Sequence, residues 1–285
     1  MDFVSKRKIW YVISVLVILA GLISLFTQGL NLGIDFTGGS VLEVEIKKDV
    51  AISEVRASLS DMGHKGVQIQ KLKDGNFQIK TSFMDQTQQD KFLAELSKKV
   101  GKVELVQGNA VGPSVGQEIF QKGMIALAVA ILLMIAYISF RFEWRFALAG
   151  NIALFHDILV TLSIFSILQL EINASFIAAI LTIFGYSIND TIVVFDRIRE
   201  NLGKVKRENL ADTVNHSINA TLRRSIYTSV STLIPLIAVF LFGGDTTKLF
   251  VLAMIIGISS GTYSSIFVAS PIWYDFSMRS KKKRF

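Results

Sequence analysis

An aspartate inside an apolar stretch is the residue of this sequence with the clearest potential for chemistry. Asp190 lies in the run Ala174–Phe195, which carries no other charge, and Asn189 precedes it. An ionisable side chain in a membrane span is costly and by default marks an ion pathway. Because burial disfavours the charged form of a carboxylate, such an aspartate can load and release protons. We therefore predict a proton-relay site at Asp190, with a hydrogen-bonded packing aspartate as the alternative.

A second polar feature begins the fifth apolar segment. Arg224, Thr228, Ser231 and Pro235 recur at helical spacing and predict a polar stripe. Polar stripes in membrane helices face the bundle interior, where Arg224 could approach Asp190 and bias its protonation. An arginine that snorkels to the membrane surface is the equally weighted alternative.

The third apolar segment carries His156 and Asp157 side by side. Adjacent residues of a helix point to different faces, so we do not expect both to make the same contact. A histidine–aspartate pair in a membrane can relay protons or can serve as a hydrogen-bonded packing device. The sequence leaves these two interpretations open.

These residues must be positioned by membrane helices. Of the 285 residues, 51% are hydrophobic and 19% are charged. A helix needs about 20 apolar residues to cross a bilayer. Six segments approach that length and predict a polytopic α-helical membrane protein: Ile9–Phe26, Met124–Phe140, Phe146–Leu168, Ala174–Phe195, Ile226–Phe242 and Leu249–Trp273.

The charge distribution predicts the orientation of these spans. The net charge is +7. Basic residues are concentrated in the short loop with Arg141 and Arg145, in the connection 196–224 and in the tail 274–285. By the positive-inside rule both termini are then cytoplasmic, and a lipid bilayer rather than nucleic acid explains the charge. The sequence has no cysteine, which excludes disulfides, thiol catalysis and cysteine-based metal sites.

Residues 29–122, between the first two spans, are polar and predict a small α+β domain outside the cytoplasm. Strands are predicted from the alternation in Ser40–Lys47, Gly66–Leu72, Phe77–Phe83 and Lys102–Val106, and helices at Ile52–Met62 and Thr87–Val100. The order β-α-β-β-α-β is typical of a ferredoxin-like sandwich. This domain shows no nucleophile, metal cluster or phosphate loop, so we expect neither enzyme activity nor a cofactor.

The remaining parts of the chain are residues 1–28 (N-terminus and first helix), 123–273 (five-helix bundle) and 274–285 (basic tail).

Several motifs resemble the SecD/SecF protein-export family, which is related to the proton-driven RND superfamily. The segment Gly29–Gly39, with Gly33, Asp35, Gly38 and Gly39, resembles the family's opening motif, and Val111–Glu118 its second. The fourth span is similar to the signature of the SecF branch. The matching segments there and beyond are Gly185–Asn201, Arg224–Ser229 and Phe242–Asp245.

The resemblance implies a function in protein export. It implies a subunit that pairs with SecD, assists the SecYEG channel and uses the proton gradient, without a cofactor, to help move unfolded preproteins across the bacterial cytoplasmic membrane. The acidic residue of the family's fourth-span Asn-Asp motif falls on Asp190, and its fifth-span arginine on Arg224.

Three alternatives remain at this stage. Half of an RND-type exporter of small molecules or lipids would share the buried acid but predicts larger outside domains. An intramembrane aspartyl protease would use Asp157 and Asp190 as its two acids, although the Gly-x-Gly-Asp context is missing. A structural scaffold predicts that replacing Asp190 changes assembly rather than proton dependence.

Overall fold

A computed structural model describes the chain except residues 49, 65, 73, 204–209 and 283–285, and except the side chains of residues 245 and 280–282. The predicted cytoplasmic charges Lys204, Lys206, Arg207, Lys283 and Arg284 lie outside the described residues. Two compact units are present, one formed by residues 1–31 and 125–285 and the other by residues 32–124.

Six helical spans confirm the predicted membrane architecture. Within the described ranges, six helices are long and apolar enough to cross a membrane. The first five are α1 (Arg7–Gln28), α5 (Pro113–Arg141), α6 (Trp144–Ile167), α7 (Ala174–Leu202) and α8 (Leu210–Phe242). The sixth is composite and consists of α9 (Asp245–Ser264), a π-helical turn (Ser265–Ala269) and α10 (Ser270–Lys282).

The second unit has the predicted ferredoxin-like order. Its elements are α2 (Ile34–Thr37), β1 (Gly39–Ile46), α3 (Ile52–Asp61), β2 (Gln68–Lys71), β3 (Phe77–Thr81), α4 (Gln86–Val100) and β4 (Val103–Val111). The sheet order is β2-β3-β1-β4 with antiparallel neighbours. Leu42, Val44 and Ile79 alternate inward, and Phe92 and Leu96 of α4 pack on them.

The strand β4 extends further than the sequence predicted. It continues past Val106 to Val111, because its full length pairs with β1 from Ile46↔Val103 to Gly39↔Val111. Residues Leu105–Ala110 are exposed, so hydrophobic alternation gives no signal for this edge. Backbone pairing defines the strand here.

The two motifs at the ends of this unit pack against each other through glycine. Gly38 has φ +73°, and a Cβ on it would lie 2.8 Å from the Cα of Pro113. A Cβ on Gly116 would lie 2.9 Å from the backbone nitrogen of Gly38. Only residues without a side chain allow the backbones to approach this closely. Packing thereby explains Gly38 of the first motif and Gly116 of the second.

Small residues also set the separation of the membrane helices. A Cβ on Gly257 of α9 would lie 2.1 Å from Cδ1 of Ile183 on α7, and one on Gly261 would lie 3.0 Å from Cβ of Ser187. Both glycines pack within the chain, as small residues do in membrane helix pairs. This packing brings the polar residues of α6, α7 and α9 together.

The connection 196–224 carries Leu210, Val214, Ile218 and Leu222 at four-residue spacing, which predicts an amphipathic helix on the membrane surface. Helix α7 continues to Leu202 and α8 begins at Leu210, so most of this connection is helical. Val214 and Ile218 of α8 are buried against Ile198 of α7 in one hydrophobic core. These apolar side chains recur at helical spacing on one face, and packing that face against α7 removes it from water.

Candidate proton-relay site

The predicted acid Asp190 is buried in the membrane unit and held by two serines. Its side chain is 7% exposed. Ser225 of α8 donates a hydrogen bond of 2.6 Å to Oδ1, and Ser265, the first residue of the π-helical turn, donates to Oδ2. Hydroxyl donors on both oxygens satisfy an ionised carboxylate, and a hydroxyl can also accept the proton of the neutral acid. Asp190 can therefore change its protonation state without losing its partners.

The structure does not bring the other two predicted relay residues to Asp190. Arg224 and Asn189 are both exposed, and the residue of α8 that reaches Asp190 is Ser225. The exposed position of Arg224 therefore fits the snorkelling alternative rather than an approach to Asp190. Successive helix residues are separated by about 100°, so one position along α8 decides which side chain faces the acid.

The polar stripe on α8 faces outward rather than into the bundle. Thr228 and Ser231 are exposed, and their hydroxyls donate to carbonyls of their own helix, at Arg224 and Thr228. The buried polar face instead carries Ser225 and Ser229. Because serine hydroxyls can satisfy themselves on the preceding turn, a polar stripe does not by itself indicate the buried face.

The second acid, Asp157, is completely buried and has a denser set of partners. Ser187 of α7 donates to Oδ2 at 2.6 Å, and Ser264 of α9 donates to the same oxygen at 2.7 Å. Ser260 donates to Oδ1 at 2.7 Å. Three hydroxyl donors from two helices thus converge on this carboxylate.

His156 and Asp157 contact each other, and their remaining hydrogen bonds go to different residues. Nδ1 of His156 lies 3.0 Å from Oδ1 of Asp157. Nε2 of the same ring lies 2.9 Å from Oγ of Ser14 on α1. The two side chains leave the helix in different directions, but a long imidazole can turn back toward its neighbour.

The two acids do not form a shared dyad. Asp190 bonds Ser225 and Ser265, whereas Asp157 bonds a separate group of side chains. Aspartyl proteases need two carboxylates that share one proton, and this arrangement does not provide that geometry. Among the described residues, no group of three His, Asp or Glu side chains is placed to hold a metal ion.

Asp196, at the end of the fourth span, forms ion pairs with two arginines. Arg141 lies 3.1 Å and Arg199 3.0 Å from its carboxylate. The neighbouring Arg197 pairs with Glu200 instead. Asp196 thus differs from Asp190 in having charged partners, which makes it a matched control for substitution.

The comparisons with known proteins decide the family. The family described as "Protein export membrane protein SecD/SecF, C-terminal" matches residues 91–279, and "SecD/SecF GG Motif" matches residues 23–50. The chain is 41% identical to the protein translocase subunit SecF of Sebaldella termitidis, covering 96% of this chain and 91% of that protein. The chain belongs to the SecF family. A second SecF, from Acidaminococcus fermentans, is 43% identical, with 99% of each chain covered.

A solved structure supports the same fold for this SecF-family chain. The translocon-associated membrane protein SecDF from Thermus thermophilus matches with a TM-score of 0.89 and 33% identity over 97% of this chain. The match covers 38% of that SecDF chain, so this chain spans well under half of its length.

Sequence reasoning found both acids but missed the serines that hold them. Ser187, Ser225, Ser260, Ser264 and Ser265 are the hydrogen-bond donors to the two carboxylates. The signal that could have located them is the density of serine in apolar spans, above all the pair Ser264-Ser265. Serine is common in membrane helix interfaces, so that signal has low specificity.

Proposed function

We propose that this chain is the SecF subunit of a SecDF accessory complex, which uses the proton gradient to assist preprotein translocation through the SecYEG channel. The observation that carries the proposal is Asp190, a buried carboxylate in a membrane span with hydroxyl donors on both oxygens and without a charged partner among the described residues. Structural ion pairs in membranes bring a countercharge. This acid is held in a way that permits a neutral form.

Protonation of Asp190 changes the hydrogen bonds that its carboxyl group can form with its partners. An ionised carboxylate only accepts hydrogen bonds, whereas the protonated acid also donates one. Ser225 and Ser265 lie on the fifth and sixth spans, so a changed hydrogen bond acts on the packing of α7 against both. A proton that crosses the membrane potential supplies about 2.3 kcal/mol per 100 mV. That free energy can favour one of two helix packings over the other.

The exposed polar side chains on the spans support a partner subunit in the membrane. Asn189 and Arg224 are both exposed, and uncovered polar groups are costly in hydrocarbon. A SecD-like chain packed over them would remove this cost and supply the second half of the proton path. The larger size of the solved SecDF chain fits such a two-part assembly.

The proposal places the chain in the bacterial cytoplasmic membrane, with both termini cytoplasmic and with the residue 32–124 unit on the far side. No cofactor takes part, because the proton gradient supplies the free energy. The exporter alternative is less favoured, because the relatives are translocase subunits by name.

The test is export in cells whose only SecF is this chain or its variant, with its SecD partner present. The rate of maturation of a secreted precursor is measured with and without a protonophore. We expect Asp190→Asn to remove the protonophore-sensitive part of the rate. Asp196→Asn is the matched control, since it makes the same chemical change on the same helix at an ion-paired surface position.

Copurification with SecD separates the alternatives. A relay requires that Asp190→Asn protein still assembles with SecD while losing the gradient-dependent export. If the variant keeps gradient-dependent export, the relay is refuted. If it loses SecD instead, Asp190 has the scaffold role.

A further inference from the structure

The pair His156–Asp157 contains a second ionisable centre that the proposed role of Asp190 does not use. Its carboxylate is 0% exposed and its imidazole 6% exposed. A packing device on α6 would need only hydroxyl or amide groups, which carry no charge to desolvate. Instead, two ionisable groups contact each other within the membrane unit, surrounded by serines of α1, α7 and α9.

We propose that His156 and Asp157 form a second proton-binding site, coupled to Asp190 through the consecutive residues Ser264 and Ser265. This inference rests on the proposed proton-driven function. The ligand is the proton itself, which binds to Nε2 of His156. Asp157 holds the ring and supplies the countercharge.

The surroundings of the ring fit both of its protonation states. An ionised Asp157 only accepts, so the ring carries a hydrogen on Nδ1. In the neutral ring, Nε2 accepts from Ser14 at 2.9 Å. When a proton adds to the lone pair of Nε2, that nitrogen donates to Ser14 instead. The Ser14 hydroxyl then turns toward the Tyr263 oxygen, 3.3 Å away.

Tyr263 completes this series of hydrogen bonds without having to move. Its hydroxyl donates to the backbone oxygen of Trp10 at 2.9 Å, so its oxygen is free to accept from Ser14. One hydroxyl rotation therefore satisfies the ring before and after proton uptake, and release follows the reverse order. Buried polar groups that keep every partner in both states avoid the cost of an unsatisfied donor.

A cavity gives the ring a route for protons. It has a volume of about 380 Å³ and lies between α1, α6 and α9, with Ser14, His156, Ser260 and Tyr263 among its lining residues. Its other walls are mostly aliphatic. A water needs two to four polar partners, which Ser14, His156, Ser260 and Tyr263 can provide. The ring is thus placed at a space from which water can deliver a proton.

The coupling runs through two neighbouring residues. Ser264 donates to Oδ2 of Asp157, and Ser265 donates to Oδ2 of Asp190. The π-helical turn begins at Ser265 and is bridged by the Ser270 hydroxyl, which donates to the carbonyl of Ser265 at 3.0 Å. Such turns occur as local insertions in helices, frequently at functional sites. A reorientation of Ser265 on protonation of Asp190 therefore acts on the backbone that places Ser264.

The other ionisable groups near the pair are few. Tyr263 faces it from α9, and Asp190 faces it from α7 through the two serines. The charges of α1 lie in its first turn, where Arg7 bonds Asp275. Those of α6 and α9, apart from the pair itself, lie near their starts, at Arg145, Asp245 and Lys248. Asp157 and Asp190 are thus the main groups placed to influence the protonation state of the His156 ring.

The first experiment measures the ring directly, in the purified complex with SecD. The chain has three histidines, so ¹⁵N-histidine labelling gives few signals, and His156→Gln assigns the one of interest. We expect the His156 signal to change from neutral to protonated as the pH is lowered. Asp190→Asn or Ser265→Ala should change the protonated fraction at fixed pH about fivefold or more, as for coupled sites.

The matched control is Ser259→Ala. Ser259 lies on the same helix and also lines the cavity, but it is exposed and its hydroxyl donates to the carbonyl of Ile255. It should leave the His156 signal unchanged. A ring signal that stays constant with pH, or that does not respond to Asp190→Asn and Ser265→Ala, overturns the proposal.

The second experiment is the pH profile of gradient-dependent export. His156→Gln keeps a hydrogen-bonding amide near Ser14 but cannot hold a proton, so we expect it to lower the rate about tenfold or more and to flatten the profile. A wild-type profile in His156→Gln means a packing role and overturns the proposal. If the unchanged chain itself shows no gradient-dependent export, the proposed function fails, while the ring signal still decides whether the second site exists.

Discussion

The close contact between α7 and α9 gives the sharpest prediction about stability. Gly257 of α9 packs on Ile183 of α7, and a Cβ at residue 257 would lie 2.1 Å from Cδ1, 2.5 Å from Cγ1 and 2.9 Å from Cγ2 of Ile183. All three atoms belong to the side chain. Gly257→Ala therefore creates an overlap that only Ile183 or the helix as a whole can relieve.

The magnitude follows from these distances. Carbon atoms in contact lie about 3.5–4.0 Å apart, so the closest atom must retreat by about 1.4 Å or more. Cγ1 and Cγ2 are both attached to Cβ and both overlap, so a rotation of the side chain exchanges one clash for another. Overpacking of this kind costs about 1–3 kcal/mol. We expect Gly257→Ala to lower the free energy of unfolding by about 2 kcal/mol, in line with that range.

A double-mutant cycle tests the cause. Ile183→Ala removes all three overlapping atoms and by itself costs about 2–5 kcal/mol through the cavity it leaves. In that background Gly257→Ala should cost little, because its methyl group enters the cavity. The expected interaction energy therefore has the opposite sign to the single costs and a size of about 2 kcal/mol, within the usual range for contacting residues.

The assay is reversible unfolding of the full chain in mixed detergent micelles, followed by far-ultraviolet circular dichroism. Gly185→Ala is the control, since Gly185 lies on α7 with no atom near its would-be Cβ; it should be neutral or slightly stabilising, because alanine is the better helix former. Additive costs for the two substitutions would refute the packing argument.

Two further predictions concern the residue 32–124 unit. Hydrogen bonds from Lys102 and Lys47 hold the pKa of Glu104 at about 2, below its ordinary 4.5. The contribution of Glu104 to stability is therefore present above about pH 4.5 and is lost as the pH falls toward 2. Glu104→Gln should remove that part of the pH dependence of stability in acid unfolding curves, and an unchanged curve contradicts the ion pairs. Gly38→Ala should cost about 1–3 kcal/mol in thermal unfolding, because Gly38 has φ +73° and its Cβ would lie 2.8 Å from the Cα of Pro113. Gly63→Ala, with φ +85° and open space around it, controls for backbone strain alone and should cost less.

The sequence by itself determined the membrane architecture. Spans such as Ile9–Phe26 are long, apolar and nearly free of charge, and no other structure satisfies the backbone of such a segment in hydrocarbon. The alternation in Ser40–Lys47 likewise located the first strand of the small domain, observed at Gly39–Ile46. These features are local, so periodicity alone reveals them.

The sequence also identified Asp190 and Asp157 as residues that could take part in proton transfer. A carboxylate in an apolar span is conspicuous because its burial is costly. The resemblance to the family motifs then predicted a role for Asp190 in protein export. Neither argument required knowledge of what surrounds the acid.

Only the tertiary structure decided the partners of these acids. Whether Arg224 or Ser225 faces Asp190 depends on the rotation of α8 about its axis, which a stripe of hydroxyl residues does not fix, because each hydroxyl can bond its own helix. The convergence of Ser187, Ser260 and Ser264 on Asp157 likewise depends on how closely α9 approaches α7. Close approach is allowed by glycine, but the choice of neighbouring helix is a long-range property of the bundle. The two acids of the site could therefore be predicted from the sequence. The serine hydroxyl groups that donate hydrogen bonds to these acids could not.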